Sequence, residues 1–187
     1  MKKVTVVLLA TVLVIANGNS FGWEPDNKNK RELAVAQAII KAKEKDPELV
    51  NWFDNAAGYA VLARVGKAGI GIGGARGKGL LIQGDATLGD VTLTQISVGF
   101  QLGGQVYAEY IFFKDQTALD DFKRGNFELG AQVSAVAINI GASRDANYSK
   151  GVAVFTIAEG GLMYEAVVGG QKFKFKERKN NQGKSAE

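Results

Sequence analysis

The 187-residue chain contains no cysteine, no histidine and only two prolines. Without cysteine it can form no disulfide, offers no thiol nucleophile and has no thiol for a lipid anchor. Without histidine it lacks the commonest general base and the commonest metal ligand, and a site made of carboxylates alone would favour hard ions. We therefore predict that the protein is not an enzyme, has no catalytic residues and uses neither a cofactor nor a metal.

The start of the chain is apolar. Two lysines precede the run Val4–Ile15, and Ser20-Phe21-Gly22 places small residues on either side of a bulky one. This order is typical of a cleaved secretion signal, and the run is shorter than the roughly 20 residues that span a bilayer. We predict a signal peptide over residues 1–22, cleaved before Trp23 or alternatively before Asn19, and an exported protein that is periplasmic or extracellular.

The remainder has the size of one domain. We predict that residues 23–177 form this domain and that the polar segment 178–187 is a disordered tail. The formal net charge is only +4. Because nucleic-acid-binding domains are usually more basic overall, we predict no nucleic-acid partner.

Three helices are predicted. Apolar residues at helical spacing indicate the first over Lys30–Lys45. Asp46-Pro47-Glu48 indicates a break and restart, since proline suits the first position of a helix and Asp46 can cap it. The second helix should follow over Leu49–Asn55, and a short third one over Asp115–Phe122 with Asp115 as its cap.

From Gly58 onward, short apolar runs with strand-like alternation are separated by glycine. Gly103-Gly104 is interpreted as a hairpin loop, and Gly160-Gly161 and Gly169-Gly170 as turns of a meander. The predicted fold class is α+β: two amino-terminal helices, then a strongly curved or barrel-like antiparallel sheet of about eight to nine strands with one short inserted helix. The predicted strands are Gly58–Val65, Ala68–Ala75, Gly77–Gln83, Val91–Leu102, Gln105–Phe113, Asn126–Ser143, Gly151–Ala158, Leu162–Val168 and Gln171–Glu177.

The run Gly66–Gly79 reads GKAGIGIGGARGKG. Gly69–Gly74 fits the spacing G-x-G-x-x-G, but a dinucleotide site needs a helix after that turn, and the residues that follow are not helical. Glycine inside strands instead marks bends or close backbone approach. We therefore predict close packing of tightly bent strands in this run.

Lysine and phenylalanine alternate from Lys172 to Lys176, which on a strand gives one cationic and one aromatic face. One interpretation is an edge strand that uses lysine against aggregation. The other is a basic surface for anionic phospholipid, where each lysine is worth about 1 kcal/mol. Arg64 and the cations of the glycine run would extend that surface if the strands lie side by side. The candidate head-group residues are Lys67, Arg76, Lys78, Lys172, Lys174 and Lys176.

Several ordered blocks together resemble the SYLF domain family. They are Gly58–Val61 (GYAV), the glycine run, Thr92–Phe113, Phe122–Ala142 and Gly151–Phe173. The family pattern usually has a proline shortly after the GYAV block, where this chain has Leu-Ala-Arg. The resemblance implies a lipid-binding module; eukaryotic relatives are associated with phosphoinositide membranes and actin, and bacterial relatives are exported single-domain proteins.

The resemblance also implies where lipid would contact the chain. In relatives, contact is attributed to a basic surface and an amphipathic amino-terminal segment, whose counterparts here are Lys28, Lys30 and Arg31 on the first helix. The expected function is non-catalytic binding of anionic phospholipid or phosphoinositide-type head groups, peripheral to a membrane. The alternative is a structural or protein-interaction module of the envelope, with a protein partner and no lipid role.

Overall fold

The computed structural model describes residues 22–125, 127–130 and 135–178. The predicted signal peptide, apart from Gly22, and the predicted tail, apart from Arg178, lie outside the described residues. The elements in chain order are α1 (Lys30–Lys45), α2 (Leu49–Asn55), β1 (Gly58–Gln83), β2 (Ala86–Phe113), α3 (Gln116–Lys123), β3 (Phe127–Leu129), β4 (Ala135–Ala137) and β5 (Val152–Glu177).

The three predicted helices are confirmed. Asn29 begins α1, because its side chain accepts hydrogen bonds from the backbone N–H groups of Arg31 and Glu32. The Asp115 side chain caps α3 by accepting from the N–H of Ala118 at 2.9 Å. The predicted cap of the second helix was wrong, because α2 begins at Leu49, after Glu48, and no side chain caps it. Local signals were sufficient for α1 and α3, since apolar spacing marks the helix and a capping side chain satisfies N–H groups of its first turn.

The described strands form one sheet in the order β1-β2-β5-β3, and β4 pairs in parallel with β5. The fold class of helices with a strongly curved, mainly antiparallel sheet is confirmed. The number of strands was wrong, because three predicted strands merge into β1, two into β2 and three into β5. Gly103 is not in a hairpin loop: it pairs with Gly69 on one side and Met163 on the other. The predicted turns at Gly160-Gly161 and Gly169-Gly170 likewise lie inside β5.

The glycines bend the strands instead of reversing them. A strand of the 26 residues of β1 would span roughly 85 Å if it were straight. Its two ends nevertheless meet: a Cβ added to Gly58 would lie 3.0 Å from the carbonyl oxygen of Ile82, and one added to Gly79 would lie 2.0 Å from that of Val61. Gly71 at the bend has φ 70°, a conformation that L side chains rarely adopt. The predicted close packing is therefore confirmed at Gly79, whereas Gly66 has open space around it.

The folded sheet has two faces, which we call outer and inner. On the outer face, Tyr110 and Phe112 of β2 pack with α1 and α2, and the Tyr110 hydroxyl donates to the Ala38 carbonyl at 2.8 Å. On the inner face, Leu62 and Leu81 belong to a second cluster, which α3 covers. The two clusters are separated by the thickness of one sheet, so alternate residues along each strand belong to different cores.

Asp46, between α1 and α2, fixes the chain that follows β4. It is buried, and its carboxylate accepts from the backbone N–H groups of Glu48 and Gly141 at 3.2 Å each and of Ser143 at 2.8 Å. Burial opposes its ionisation, but these hydrogen bonds outweigh it and hold the pKa of Asp46 below its usual value. The prediction of one long strand over Asn126–Ser143 was wrong. The described part of this segment contains two short strands, β3 and β4, and the chain after β4 turns so that the N–H groups of Gly141 and Ser143 reach Asp46.

Candidate functional site

The register of the sheet brings cations from two strands to the outer face. Arg76 of β1 pairs with Thr94 of β2, which pairs with Lys172 of β5. One step further, Lys78 pairs with Thr92, which pairs with Lys174. Residues that pair directly across a sheet point to the same face, so these four cations share one side.

We call Arg76, Lys78, Lys172 and Lys174 the basic band. All four are exposed, and two strand spacings, about 10 Å, separate the pair on β1 from the pair on β5. Lys176 continues the row along β5, and in the strand register it lies opposite Asp90 of β2. The band is partly neutralised at its β5 side, where Lys172 forms an ion pair of 2.9 Å with Glu128. Since both partners are exposed, that pair is weak and open to exchange with another anion.

Arg64 lies beside the basic band, because β1 folds back on itself. It lines an open groove of about 440 Å³ together with Arg76 and Lys78, and the other lining residues are Gly66 and Gly77. Three cations around glycine backbone form a recess in which an anionic group can approach closely. From the sequence, Arg64 was predicted only to extend the basic surface, because its proximity to Arg76 depends on the bend of β1.

Lys67 lies on the opposite face from the basic band. Strand alternation from Val65 of the inner core places it on the inner face, opposite Gln105. It lines a second open cavity, of about 540 Å³, which shares Gly66 and Arg76 with the groove. The six predicted head-group residues are thus divided between the faces: five lie on the outer face and Lys67 lies on the inner face.

The three predicted membrane-contact residues near the amino-terminal helix differ in their surroundings. Lys28 precedes α1, and Lys30 is exposed in its first turn. Arg31 instead forms an ion pair with Asp90 of β2. Arg178 donates to the same carboxylate and also pairs with Glu32 of α1.

This network is structural. Burial opposes the charge on Asp90, but hydrogen bonds from Arg178 and Arg31 outweigh it, so the pKa of Asp90 is lowered. Of the three predicted contact residues, Arg31 thus joins α1 to the sheet through its ion pair with Asp90, whereas Lys28 and Lys30 are exposed.

A buried carboxyl group lies on the inner face. Glu109 of β2 is 0% exposed; its Oε2 accepts from Gln171 Nε2 at 3.2 Å and its Oε1 has no hydrogen-bond partner. Desolvation raises the pKa of Glu109 to about 8, despite the hydrogen bond from Gln171. The sequence prediction missed it, although its alternation with Tyr107 and Ile111 along an apolar strand face was a signal.

Exposed apolar side chains cluster where the sheet bends. Ile70 pairs with Leu102, Ile72 pairs with Val98, and Ile96 lies one step further along β2. Their residue exposures are 81% for Ile70, 68% for Ile72, 70% for Ile96, 59% for Val98 and 54% for Leu102. We call these five residues the tip cluster. They lie on the outer face, directly beyond the basic band.

Within the described residues, no group of three or more acidic, histidine or cysteine side chains is arranged to hold a metal ion. Among the helices of the same part of the chain, none combines the length and the apolar character needed to cross a bilayer.

Comparison with known proteins places the chain among relatives. Residues 94–183 match the model of the family Ysc84, described as Las17-binding protein actin regulator. Beta cell expansion factor A of Aeromonas veronii is 29% identical to the chain over 139 residues, which are 73% of this chain and 52% of that protein. The chain thus matches about half the length of this relative.

Proposed function

Because residues 94–183 belong to the Ysc84 (SYLF) family, as the sequence blocks predicted, we propose that the protein is a non-catalytic module that binds anionic phospholipid surfaces through the basic band. Membership supports a lipid-binding or actin-related module. The observation that carries the finer proposal is the alignment of Arg76 and Lys78 with Lys172 and Lys174 on one exposed face.

The chemistry of the band suits lipid phosphate. Arginine binds phosphate oxygens through two parallel hydrogen bonds, and each cation near an anionic surface adds about 1 kcal/mol of binding free energy. The groove of Arg64, Arg76 and Lys78 would hold one head group, while Lys172 and Lys174 face its neighbours. Because the cations are exposed, binding should weaken as salt is added.

The proposal includes the export predicted from the first 22 residues, and hence a periplasmic or extracellular location at the membrane periphery. The competing function is a protein-interaction module of the envelope, in line with the family's description as an actin regulator that binds Las17. A protein partner would leave lipid affinity low and insensitive to the charge of the vesicle. The two functions therefore differ in one measurement.

The test removes two cations from the band and two from elsewhere. The double variant Arg76→Ser/Lys78→Ser should bind vesicles of phosphatidylserine and phosphatidylcholine about 30-fold more weakly than the wild type, since two cations contribute about 2 kcal/mol. The measurement is co-sedimentation of the full chain at low salt.

The matched control is Lys114→Ser/Arg124→Ser, which loses the same charge from two exposed residues outside the band. It should retain nearly the wild-type affinity. All variants share the apolar segment at the start of the chain, so its own affinity for lipid cancels in the comparison. Equal losses in both double variants would mean that net charge alone governs binding, and would refute the assignment to the band.

A further inference from the structure

The tip cluster is an unusual surface for a protein in water. Of the eight large apolar residues that are strongly exposed in the described part of the chain, five lie in this cluster. Single exposed apolar residues are ordinary, whereas a contiguous group of large, strongly exposed apolar side chains marks a site of interaction. We therefore expect the tip cluster to be covered by a binding partner.

The register shows how the tip cluster is joined to the basic band. Along β2, Thr94 lies on the rung of Arg76 and Lys172, Ile96 lies on the next rung, and Val98 on the one after that. Successive rungs on one face are roughly 7 Å apart along the strand. The outer face thus changes from cationic to apolar within one rung, and the apolar end lies at the bend.

This order matches a lipid monolayer, in which phosphates lie above acyl chains. We propose that the tip cluster inserts among the acyl chains of an anionic bilayer while the basic band binds the phosphates above it. The inference rests on the proposed function and adds to it a depth and an orientation: the bend of the sheet enters the membrane first.

A second copy of this chain fits the tip cluster less well. Association of two tips about a two-fold axis would bring both basic bands close together, and like charges at an interface oppose association. The adjacent cations instead complement an anionic surface.

Insertion should contribute measurably to affinity. Transfer of one exposed isoleucine side chain into an apolar phase is worth roughly tenfold to a hundredfold in a binding constant. Ile70→Ser/Ile72→Ser should therefore lower the affinity for anionic vesicles by at least about tenfold. Ile140→Ser provides the control, since Ile140 is 89% exposed and lies outside the tip cluster.

A fluorescent label reads the depth directly. The chain contains no cysteine, so Ile70→Cys and Ile140→Cys each give one attachment point for an environment-sensitive dye such as NBD. Vesicles of phosphatidylserine and phosphatidylcholine should increase the emission of the label at residue 70 several-fold, and acyl-chain bromination should quench it. The label at residue 140 should remain in an aqueous environment.

Each outcome separates insertion from binding. If the full chain sediments with anionic vesicles while the label at residue 70 stays aqueous, the insertion proposal is refuted and surface binding stands. If nothing sediments, both proposals fail. If the label at residue 70 responds to protein concentration without vesicles, the occupant is a second copy of the chain, and insertion is again refuted.

Discussion

Gly79→Ala should unfold the protein or lower its free energy of unfolding by at least about 4 kcal/mol, a loss that few single substitutions cause. The added Cβ would lie 2.0 Å from the Val61 carbonyl oxygen, 2.7 Å from its carbon and 2.8 Å from the Leu62 Cα. All three are backbone atoms, so no side-chain rotation can relieve the overlap. Urea denaturation followed by circular dichroism gives the free energy of unfolding.

Gly66→Ala is the matched control for that experiment. It changes the same residue type on the same strand, but nothing lies within 4 Å of the added Cβ. Its stability should equal or slightly exceed that of the wild type, because alanine costs less backbone entropy in a strand than glycine does. Similar free energies for the two variants would contradict the fold-back of β1.

Glu109→Gln should stabilise the protein at neutral and higher pH. The folded-state pKa of Glu109 is raised to about 8, above the value of an unfolded glutamate near 4.3. The folded state therefore holds a proton that the unfolded state has released, and between these two values each pH unit costs the wild type up to about 1.4 kcal/mol of stability. This stabilisation is fully present below the unfolded pKa and is lost as the pH rises through the folded one.

Glutamine has the same shape and does not titrate, so the variant escapes this loss. At pH 7 it should be more stable than the wild type by about 3 kcal/mol, or roughly 5–10 °C in Tm, and near pH 4.5 the two should converge. Glu44→Gln, an exposed change on α1, should follow the wild-type pH profile. Parallel profiles for the wild type and Glu109→Gln between pH 5 and 8 would show that Glu109 is not buried as described.

Much of the fold was predictable because its signals are local. The helical spacing in Lys30–Lys45 and the capping residue Asp115 each predict an element without reference to the rest of the chain. Strand boundaries were not predictable, because a glycine pair such as Gly103-Gly104 looks the same in a turn and in a bend. What distinguishes the two is the pairing of Gly103 with residues of two other strands.

The candidate site was predictable to a similar degree. Alternation puts Lys172 and Lys174 on one face from sequence alone. Their alignment with Arg76 and Lys78 requires the register of three strands, which depends on an irregularity between Ile70 and Ile72. The approach of Arg64 requires the folded shape of β1 as well, and no local pattern carries that information.

The central claim is that the outer face of the sheet binds anionic lipid through charge. Co-sedimentation of the wild-type chain with phosphatidylserine-containing and with pure phosphatidylcholine vesicles, each at low and high salt, tests it most directly. We predict stronger binding to the anionic vesicles at low salt, with a preference that shrinks as the salt concentration rises. Equal, negligible binding to both kinds of vesicle at low salt would contradict the claim.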